Sequence, residues 1–201
     1  MSMQQHAVIL TPVDLYFEEI RPSTEAFFKD ELTGYWNRGR RDVAELTLRY
    51  AFSNKVQAFC VAFDIRNVSG ANAALNWSGV GERIFKPFTD FFRQALEVGL
   101  AQRAQIFLFR QGGDEFSAIL AGLPGRAFAH DDVAAVLRRF VEEVDRYAKA
   151  QGFDDIPNPK GRNHRGVGVT CAFGSLSAAP DVGRALEIVD EQVERSKMAR
   201  R

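Results

Sequence analysis

The fold of this chain is decided by residues 110–116, Arg-Gln-Gly-Gly-Asp-Glu-Phe. An apolar run at 104–109 precedes this stretch, and an alternating run at 116–120 follows it. Two strand-like segments joined by so short a glycine turn predict a β-hairpin, because glycine adopts positive φ without steric cost. The tip would carry a bare backbone and two adjacent carboxylates, which suits a metal-bound triphosphate. Taken alone, a solvated polar turn is the commoner interpretation of such a tip.

The composition narrows the class of protein. The chain has 201 residues, of which 46% are hydrophobic and 17 are Phe, enough for one domain with a sizeable core. The formal net charge is zero, so no overall basic field favours nucleic acid as a partner. No apolar stretch approaches the roughly 20 residues that cross a bilayer, and residues 1–6 lack the features of a signal peptide. We therefore expect neither nucleic-acid nor membrane binding.

The two cysteines indicate a cellular compartment. Cys60 and Cys171 each lie inside an apolar, β-like run. This placement predicts buried, reduced thiols rather than a disulfide or metal ligands, because no further Cys or closely spaced His completes a site. Reduced thiols are typical of the cytoplasm, where we expect the protein to reside.

Strand-like and helix-like segments alternate along the rest of the chain. The predicted elements are a helix over 37–52, a buried strand over 56–65, a polar irregular segment over 66–79, a helix over 80–100, the hairpin over 104–121, a helix over 131–147, a strand over 167–173 and a helix over 182–199. Strand, helix, hairpin, helix, strand is the order of the ferredoxin-like plan. The sequence thus predicts an α+β fold, with one sheet that contains antiparallel strands and is flanked by helices.

Two segments lie outside this plan. Residues 1–29 predict a short helical N-terminal extension, since Pro12 suits the first position of a helix. Residues 30–201 would then form one domain. The loop at 151–165 is rich in Pro, Gly and Asn and is long for a compact domain. Both the extension and the loop are candidates for contact with a partner protein or for dimerisation.

Asp64 closes the apolar run at 56–65. A carboxylate at the end of a buried strand is costly unless it is paired or bound to metal, although a cap or turn acid is the commoner role. Asp64 and Asp114 would converge if their strands were neighbours. Carboxylates that converge from two strands can hold a pair of metal ions about 3.5–4 Å apart, which stabilises the attacking and leaving oxygens of nucleotidyl transfer.

Four motifs, in the same order along the chain, match one known family. They are Asp-Glu-Leu-Thr-Gly-Tyr-Trp-Asn-Arg at 30–38, Phe-Asp-Ile at 63–65, Gly-Gly-Asp-Glu-Phe at 112–116 after Arg110, and Lys197 followed four residues later by Arg201. Together they resemble the GGDEF domain of diguanylate cyclases, whose sheet is similar to the palm of nucleotide polymerases. The resemblance spans roughly residues 30–201, and Tyr35 is the one departure within the first motif.

The resemblance implies an activity and a set of metal ligands. A diguanylate cyclase condenses two GTP molecules into cyclic di-GMP with release of pyrophosphate, using Mg²⁺ or Mn²⁺. Each subunit would hold one GTP, so a homodimer would be needed for catalysis, and an unidentified regulatory protein is a further possible partner. Asp64 and Asp114 would hold the cations, with the Ile65 carbonyl as an additional ligand. Glu115 would sit beside the metal and help to activate the ribose 3′-hydroxyl.

The resemblance also implies how the phosphates are bound. Lys197 and Arg201 would contact the terminal phosphates, and Gly112 and Gly113 would leave room for them. Cations that offset phosphate charge fit this role. The alternative for Lys197 and Arg201 is an interaction with the dipole at the end of their helix.

The base-reading segment departs most from the family pattern. Asn72 occupies the position from which the family recognises guanine, although a plain turn residue is the alternative. If one residue is inserted between Asn76 and Gly81, Glu82 stands where a second base-reading residue is usually Asp. Arg66 replaces an Asp, Ser69 replaces a Lys, and Asn76-Trp77 replaces a Gly-His. Arg66 would either point to solvent or supply a phosphate contact in place of that Lys. Two alternatives therefore stay open: a degenerate domain that binds GTP or a protein without turnover, and a cyclase with altered base choice.

A second departure concerns regulation. Many members of the family bind their product at an Arg-x-x-Asp site just before the signature strand. The matching positions are Arg103 and Ile106, so the Arg is retained and the Asp is absent. We expect weak or absent binding of cyclic di-GMP there.

Overall fold

An antiparallel sheet of four strands forms the centre of the computed structural model, which describes residues 29–37, 40–159 and 165–198. Its strands are β1 (Ala58–Arg66), β2 (Ala104–Arg110), β3 (Glu115–Gly122) and β4 (Gly168–Ser175). They lie in the order β2-β3-β1-β4, and each neighbouring pair is antiparallel. This is the arrangement of the ferredoxin-like plan, so the predicted α+β fold class is confirmed.

Helices cover both faces of the sheet. They are α1 (Arg40–Ser53), α2 (Val68–Val80), α3 (Lys86–Leu100), α4 (His130–Ala150) and α5 (Val182–Met198). A π-helical turn, Gly81–Phe85, joins α2 to α3. The helices expected over 37–52, 80–100, 131–147 and 182–199 are thus present with shifted ends. Asp132 caps α4, because its carboxylate accepts a hydrogen bond from the Ala129 N–H at 2.8 Å.

The sheet separates two apolar clusters, one on each face. Alternate side chains of a strand point to opposite faces. In β1 the odd-numbered residues, such as Phe63, enter the larger cluster with α3 and α4, whereas Cys60 enters the cluster formed with α1 and α5. Phe63 stacks on Phe116 of β3 with ring centroids 4.9 Å apart. Strand β1 is therefore buried on both faces, as its apolar run predicted. Asp64, which is even-numbered, faces α5.

The segment at 66–79 was predicted to be irregular, and this prediction is wrong. The structure has helix α2 there, with Gly70 and Ala71 buried. The asparagines that suggested a loop instead mark the start and the interruption of the helix, because Asn67 (φ 58°) and Asn76 (φ 61°) adopt positive φ. The Asn67 amide donates to the Ile156 carbonyl at 3.0 Å, and the Asn76 side chain accepts the Gly79 N–H at 3.0 Å. A mostly exposed helix of small residues carries no wide apolar stripe for the sequence to display.

The first motif, around residue 30, forms a tight turn that packs on the main core. The Thr33 N–H and hydroxyl both donate to Asp30 Oδ1, at 3.0 and 2.7 Å. Gly34 has φ 69°, which a glycine adopts without strain. Tyr35 is fully buried, and its hydroxyl donates to the Thr89 carbonyl at 2.6 Å. The departure at Tyr35 is thus accommodated by a satisfied hydrogen bond inside the core.

The remaining predictions fall partly outside the described residues. The expected helical extension lies there except for Lys29, and so do residues 160–164 of the 151–165 loop. Before that gap, the buried Phe153 and Ile156 anchor the loop to the larger cluster. Cys60 is buried and Cys171 half-buried, both as free thiols, and burial raises the pKa of Cys171 to about 12. Nowhere in the described part of the chain is a helix both long and apolar enough to cross a membrane.

Candidate functional site

Strands β1 and β3 bring three carboxylates together at one end of the sheet. Asp64 pairs directly with Glu115 in the β1–β3 register, so both side chains lie on the same face. Asp114, the residue before β3, accepts the Ile65 N–H through its carbonyl at 3.0 Å. One carboxylate oxygen from each of Asp64, Asp114 and Glu115 can be chosen so that the three atoms lie within 4.8 Å of one another. We call these three residues the carboxylate cluster.

The donor set of the carboxylate cluster fits a hard divalent cation. Asp64 is only 1% exposed, while Asp114 and Glu115 are half-buried. Three like charges at this separation are costly unless a cation compensates them. Carboxylate oxygens are the ligands that Mg²⁺ and Mn²⁺ prefer. The residues present therefore suit Mg²⁺ or Mn²⁺.

The hairpin tip leaves space beside the cluster. A Cβ at Gly112 would lie 3.0 Å from Oε2 of Glu115, so glycine there makes room for the carboxylate. A Cβ at Gly113 would meet nothing within 4 Å, so this side of the turn is open to a ligand. The Gln111 N–H donates to the Glu115 carbonyl at 2.8 Å, which closes the hairpin.

Arg110 ties the hairpin tip to the turn at Asp30. Its Nη1 lies 2.6 Å from Asp30 Oδ2, and its Nη2 donates to the Gly113 carbonyl at 2.8 Å. The guanidinium also lies over the rings of Phe85 and Phe116, 5.3 and 5.6 Å from their centroids. Burial alone would raise the pKa of Asp30, but the hydrogen bonds from Thr33 and Arg110, with the Arg110 charge, lower it. Two motifs that the sequence shows as separate are thus joined by one ion pair.

Lys197 reaches the cluster from α5. Its Nζ lies 3.0 Å from Oε1 of Glu115 and 2.6 Å from Oε1 of Glu194. The hydrogen bond with Glu194 raises the pKa of Lys197, burial opposes it, and Glu115 adds to the rise. The Thr170 hydroxyl of β4 donates to the Ser196 carbonyl at 2.6 Å, which holds this turn of α5 against the sheet. Arg201, the other predicted phosphate ligand, lies outside the described residues.

A cleft opens between the hairpin and α5. Its volume is about 710 Å³, and Glu115 and Lys197 are among the residues that line it. Pockets of a few hundred to a thousand cubic ångströms are typical for small ligands. The cleft therefore offers space for a ligand beside Glu115, although Asp64 and Asp114 do not line it.

The predicted base-reading residues lie on a different part of the surface. Asn72 is on α2 and Glu82 is in the π-helical turn, and both are exposed. Within the described part of the chain, neither side chain makes a hydrogen bond or an ion pair, so their polar atoms face solvent. Trp77 of α2 is 59% exposed, with its ring edge-on to Phe85 at 5.9 Å. The sequence shows Trp77 only as a departure from a motif. Its exposure is seen only in the structure, where it follows the bend at Asn76.

Arg103 is engaged in contacts within the domain. Its Nη1 lies 3.0 Å from Asp132 Oδ1, and its Nη2 donates to the Gly99 carbonyl at 3.0 Å. The half-buried Ile106 packs against the larger apolar cluster. These contacts favour the prediction of weak cyclic di-GMP binding at Arg103, which stays a prediction.

Comparison with known proteins gives matches at the level of structure. No protein-family model matches the chain. No curated protein matches it either. Solved structures do match, among them the coiled coil and GGDEF domain of DgcB from Caulobacter crescentus in complex with c-di-GMP. That structure is 19% identical with a TM-score of 0.63, and the match covers 93% of this chain and 89% of that one.

Two further solved structures come from Pseudomonas aeruginosa. The GGDEF domain of TpbB (YfiN) is 19% identical with a TM-score of 0.61, covering 85% of this chain and 89% of that one. The diguanylate cyclase SiaD, in complex with its activator SiaC, is 17% identical with a TM-score of 0.58. The match covers 92% of this chain and 65% of that one. Likeness at such identities establishes the fold, and the chain has the fold of a GGDEF domain.

Proposed function

We propose that this chain is a diguanylate cyclase that condenses two GTP molecules into cyclic di-GMP and releases two pyrophosphates. The observation that carries the proposal is the carboxylate cluster, Asp64, Asp114 and Glu115, with its ligand atoms within 4.8 Å of one another on a GGDEF fold. Lys197 beside Glu115 supports it, because a cation there can offset phosphate charge. Residues 30–201 would form the cyclase domain, and residues 1–29 its extension.

Each half of the proposed reaction is a nucleotidyl transfer. The ribose 3′-oxygen of one GTP attacks the α-phosphorus of the other, the bond from that phosphorus to the bridging oxygen breaks, and pyrophosphate leaves. Bound Mg²⁺ or Mn²⁺ would stabilise charge on the attacking and leaving oxygens. Asp64, Asp114 and the Ile65 carbonyl would hold the cation. Glu115, at the open side of the cluster, would accept the proton of the 3′-hydroxyl.

The remaining predicted residues would bind the two ends of the nucleotide. Lys197 and Arg201 would contact the terminal phosphates, with Gly112 and Gly113 allowing their close approach. Asn72 and Glu82 would contact the base. Each domain would hold one GTP, so the active species would be a homodimer in the cytoplasm. A regulatory protein is a further proposed partner, since SiaD was solved with its activator.

Product analysis tests the proposal directly. The purified chain is incubated with GTP and Mg²⁺ over a range of protein concentrations, and the products are identified by mass. We expect cyclic di-GMP and pyrophosphate, with a rate per subunit that rises with protein concentration because a dimer is required. The Asp114→Asn variant serves as the control and should form no product. If the wild-type chain forms no cyclic dinucleotide even at high concentration, the proposal is wrong.

A second candidate is a nucleotide-binding module without turnover. The segment from the end of β1 through α2 favours it, because Arg66, Ser69 and Trp77 all depart from the family pattern there and Asn76 bends the helix. This candidate predicts GTP binding that Asp114→Ala leaves unchanged and that yields no product. A cyclase with altered base choice is distinguished by supplying a mixture of GTP and ATP, because Glu82 is longer than the usual Asp and would admit mixed products.

A further inference from the structure

Arg66 is the last residue of β1, two positions beyond Asp64. Residues two apart on a strand share a face, so Arg66 emerges on the same side of the sheet as the carboxylate cluster. In the β1–β4 register it lies opposite Gly168. A Cβ at Gly168 would fall 2.2 Å from Arg66 Nη2. The guanidinium therefore lies across β4, in space that only a glycine leaves, and does not extend into solvent.

The charge of Arg66 is not balanced within the described part of the chain. No carboxylate there lies within ion-pair distance of its guanidinium. Its Nε is buried and has no hydrogen-bond partner among the same residues. A buried N–H donor of a charged group costs free energy when it lacks a hydrogen-bond acceptor. Native proteins usually provide such a group with an acceptor. This arrangement leaves Arg66 able to donate to an anionic ligand.

The position of Arg66 relative to the cluster indicates the ligand's charge. On this face of the sheet Glu115 lies on the β3 side of Asp64, whereas Gly168 and the Arg66 guanidinium lie on the β4 side. Lys197 pairs with Glu115 on the β3 side. Arg66 is thus a second cation on the face of the sheet that carries the cluster, on the side of Asp64 away from that ion pair. A planar guanidinium with several donors suits the oxygens of a phosphate group, which it can bind bidentately.

We propose that Arg66 binds the phosphate chain of the nucleotide on the β4 side of the carboxylate cluster. This inference rests on the proposed function. It adds a phosphate-binding residue at a position where the family pattern has Asp. Arg66 takes over the charge that Ser69, an exposed residue of α2, does not provide. The contact positions the nucleotide, so its loss weakens binding of the phosphates whether or not turnover follows.

The experiment measures binding without turnover. The probe is α,β-methylene GTP with Mg²⁺, since its carbon bridge replaces the bond that the proposed reaction breaks, and its dissociation constant is obtained by calorimetry. We expect Arg66→Ala to weaken binding about tenfold or more. Arg66→Lys should fall in between, because it keeps the charge and loses the bidentate geometry. Arg138→Ala is the matched control: Arg138 is an exposed arginine of α4, on the opposite face of the sheet, and should bind as the wild type does.

A second variant keeps the charge of Arg66 but displaces its guanidinium. Gly168→Ala places a methyl group where the guanidinium lies and should also weaken binding of the probe, with inorganic tripolyphosphate showing the same ranking of variants. Unchanged affinity in Arg66→Ala, or a loss equally large in Arg138→Ala, overturns the inference. Failure of the proposed function has a different signature: the wild type binds the probe through Arg66 but forms no cyclic dinucleotide from GTP. No binding of the probe by the wild type would overturn both.

Discussion

The carboxylate cluster and helix α2 are two regions of one candidate site that are built in opposite ways. Asp64 is 1% exposed and is positioned by the register of central strands whose neighbours fill both faces. Trp77 is 59% exposed, on a helix that Asn76 interrupts with positive φ. Side chains in a close-packed interior have little freedom to move. The proposed metal-binding side of the site is therefore an extension of the core, whereas the proposed base-binding side is a surface.

This difference explains where the chain departs from the family pattern. Departures at Arg66, Ser69, Trp77 and Glu82 fall at or beyond the end of β1, where side chains are exposed or half-buried. The departure at Tyr35 lies in the core, and there the new hydroxyl has found a partner in the Thr89 carbonyl. A surface residue can change without a compensating contact, while a buried polar group needs one. The five predictions below test this division.

The largest effect is expected for Asp64→Asn. The substitution keeps the shape of the side chain and removes one charge from the carboxylate cluster. Product formation from GTP should fall on the order of a thousandfold, as for the loss of one preorganised electrostatic group. Thermal unfolding without divalent ions should shift upward, because carboxylates within 4.8 Å of one another repel. Retention of activity would show that the buried region is not the reacting one.

Arg110→Ala should have the next largest effect, on stability. It removes the half-buried ion pair with Asp30 and the exposed hydrogen bond to the Gly113 carbonyl, at a cost of about 2 kcal/mol in the free energy of unfolding. Urea titration measures it. Arg49→Ala is the control, since its pair with Glu45 is exposed and should contribute less than about 0.5 kcal/mol.

The same pair gives a dependence on pH. The pKa of Asp30 is lowered in the fold, so the folded chain binds fewer protons than the unfolded chain near that pKa. The stability this provides is present above the ordinary value of 3.8 and is lost as the pH falls through the lower folded-state value. The difference between wild type and Arg110→Ala should therefore shrink below about pH 4. A constant difference down to low pH would mean that the charge of Asp30 is not what Arg110 stabilises.

The same division separates what the sequence predicted from what it did not. The apolar run of β1 and the amphipathic helices come from periodicities that burial imposes, and the structure has them. The hairpin is also present, but the reason given for it is wrong, because neither Gly112 nor Gly113 adopts positive φ. The convergence of Asp64 and Asp114 was predicted on the condition that β1 and β3 are neighbours, and the two strands do pair. Helix α2 was missed because its small, exposed residues carry no such periodicity. The contact of Arg110 with Asp30 joins residues 80 positions apart in sequence, and no local pattern encodes it.

Tyr35→Phe should cost less than Arg110→Ala, about 1 kcal/mol in the free energy of unfolding. The variant keeps the ring, with its edge-on contact to Phe116 at 5.9 Å, and removes only the hydroxyl that donates to the Thr89 carbonyl. Burial raises the pKa of Tyr35, so the hydroxyl remains a donor over the whole accessible pH range. Tyr147→Phe is the matched control, because its bond to the Arg83 carbonyl is exposed and water can replace it. Equal losses in the two variants would contradict the role of burial.

Trp77→Ala should change the free energy of unfolding least, by no more than about 0.5 kcal/mol, although it removes the largest kind of side chain. Most of the ring is in solvent, and its one aromatic contact within the described residues is the edge of Phe85. Phe85→Ala supplies the contrast, since that side chain is 2% exposed and its loss should cost about 3 kcal/mol. Both values come from urea titrations under the same conditions. If Trp77→Ala were as damaging as Phe85→Ala, α2 would be part of the core. Its departures from the family pattern would then need compensating contacts, as Tyr35 has.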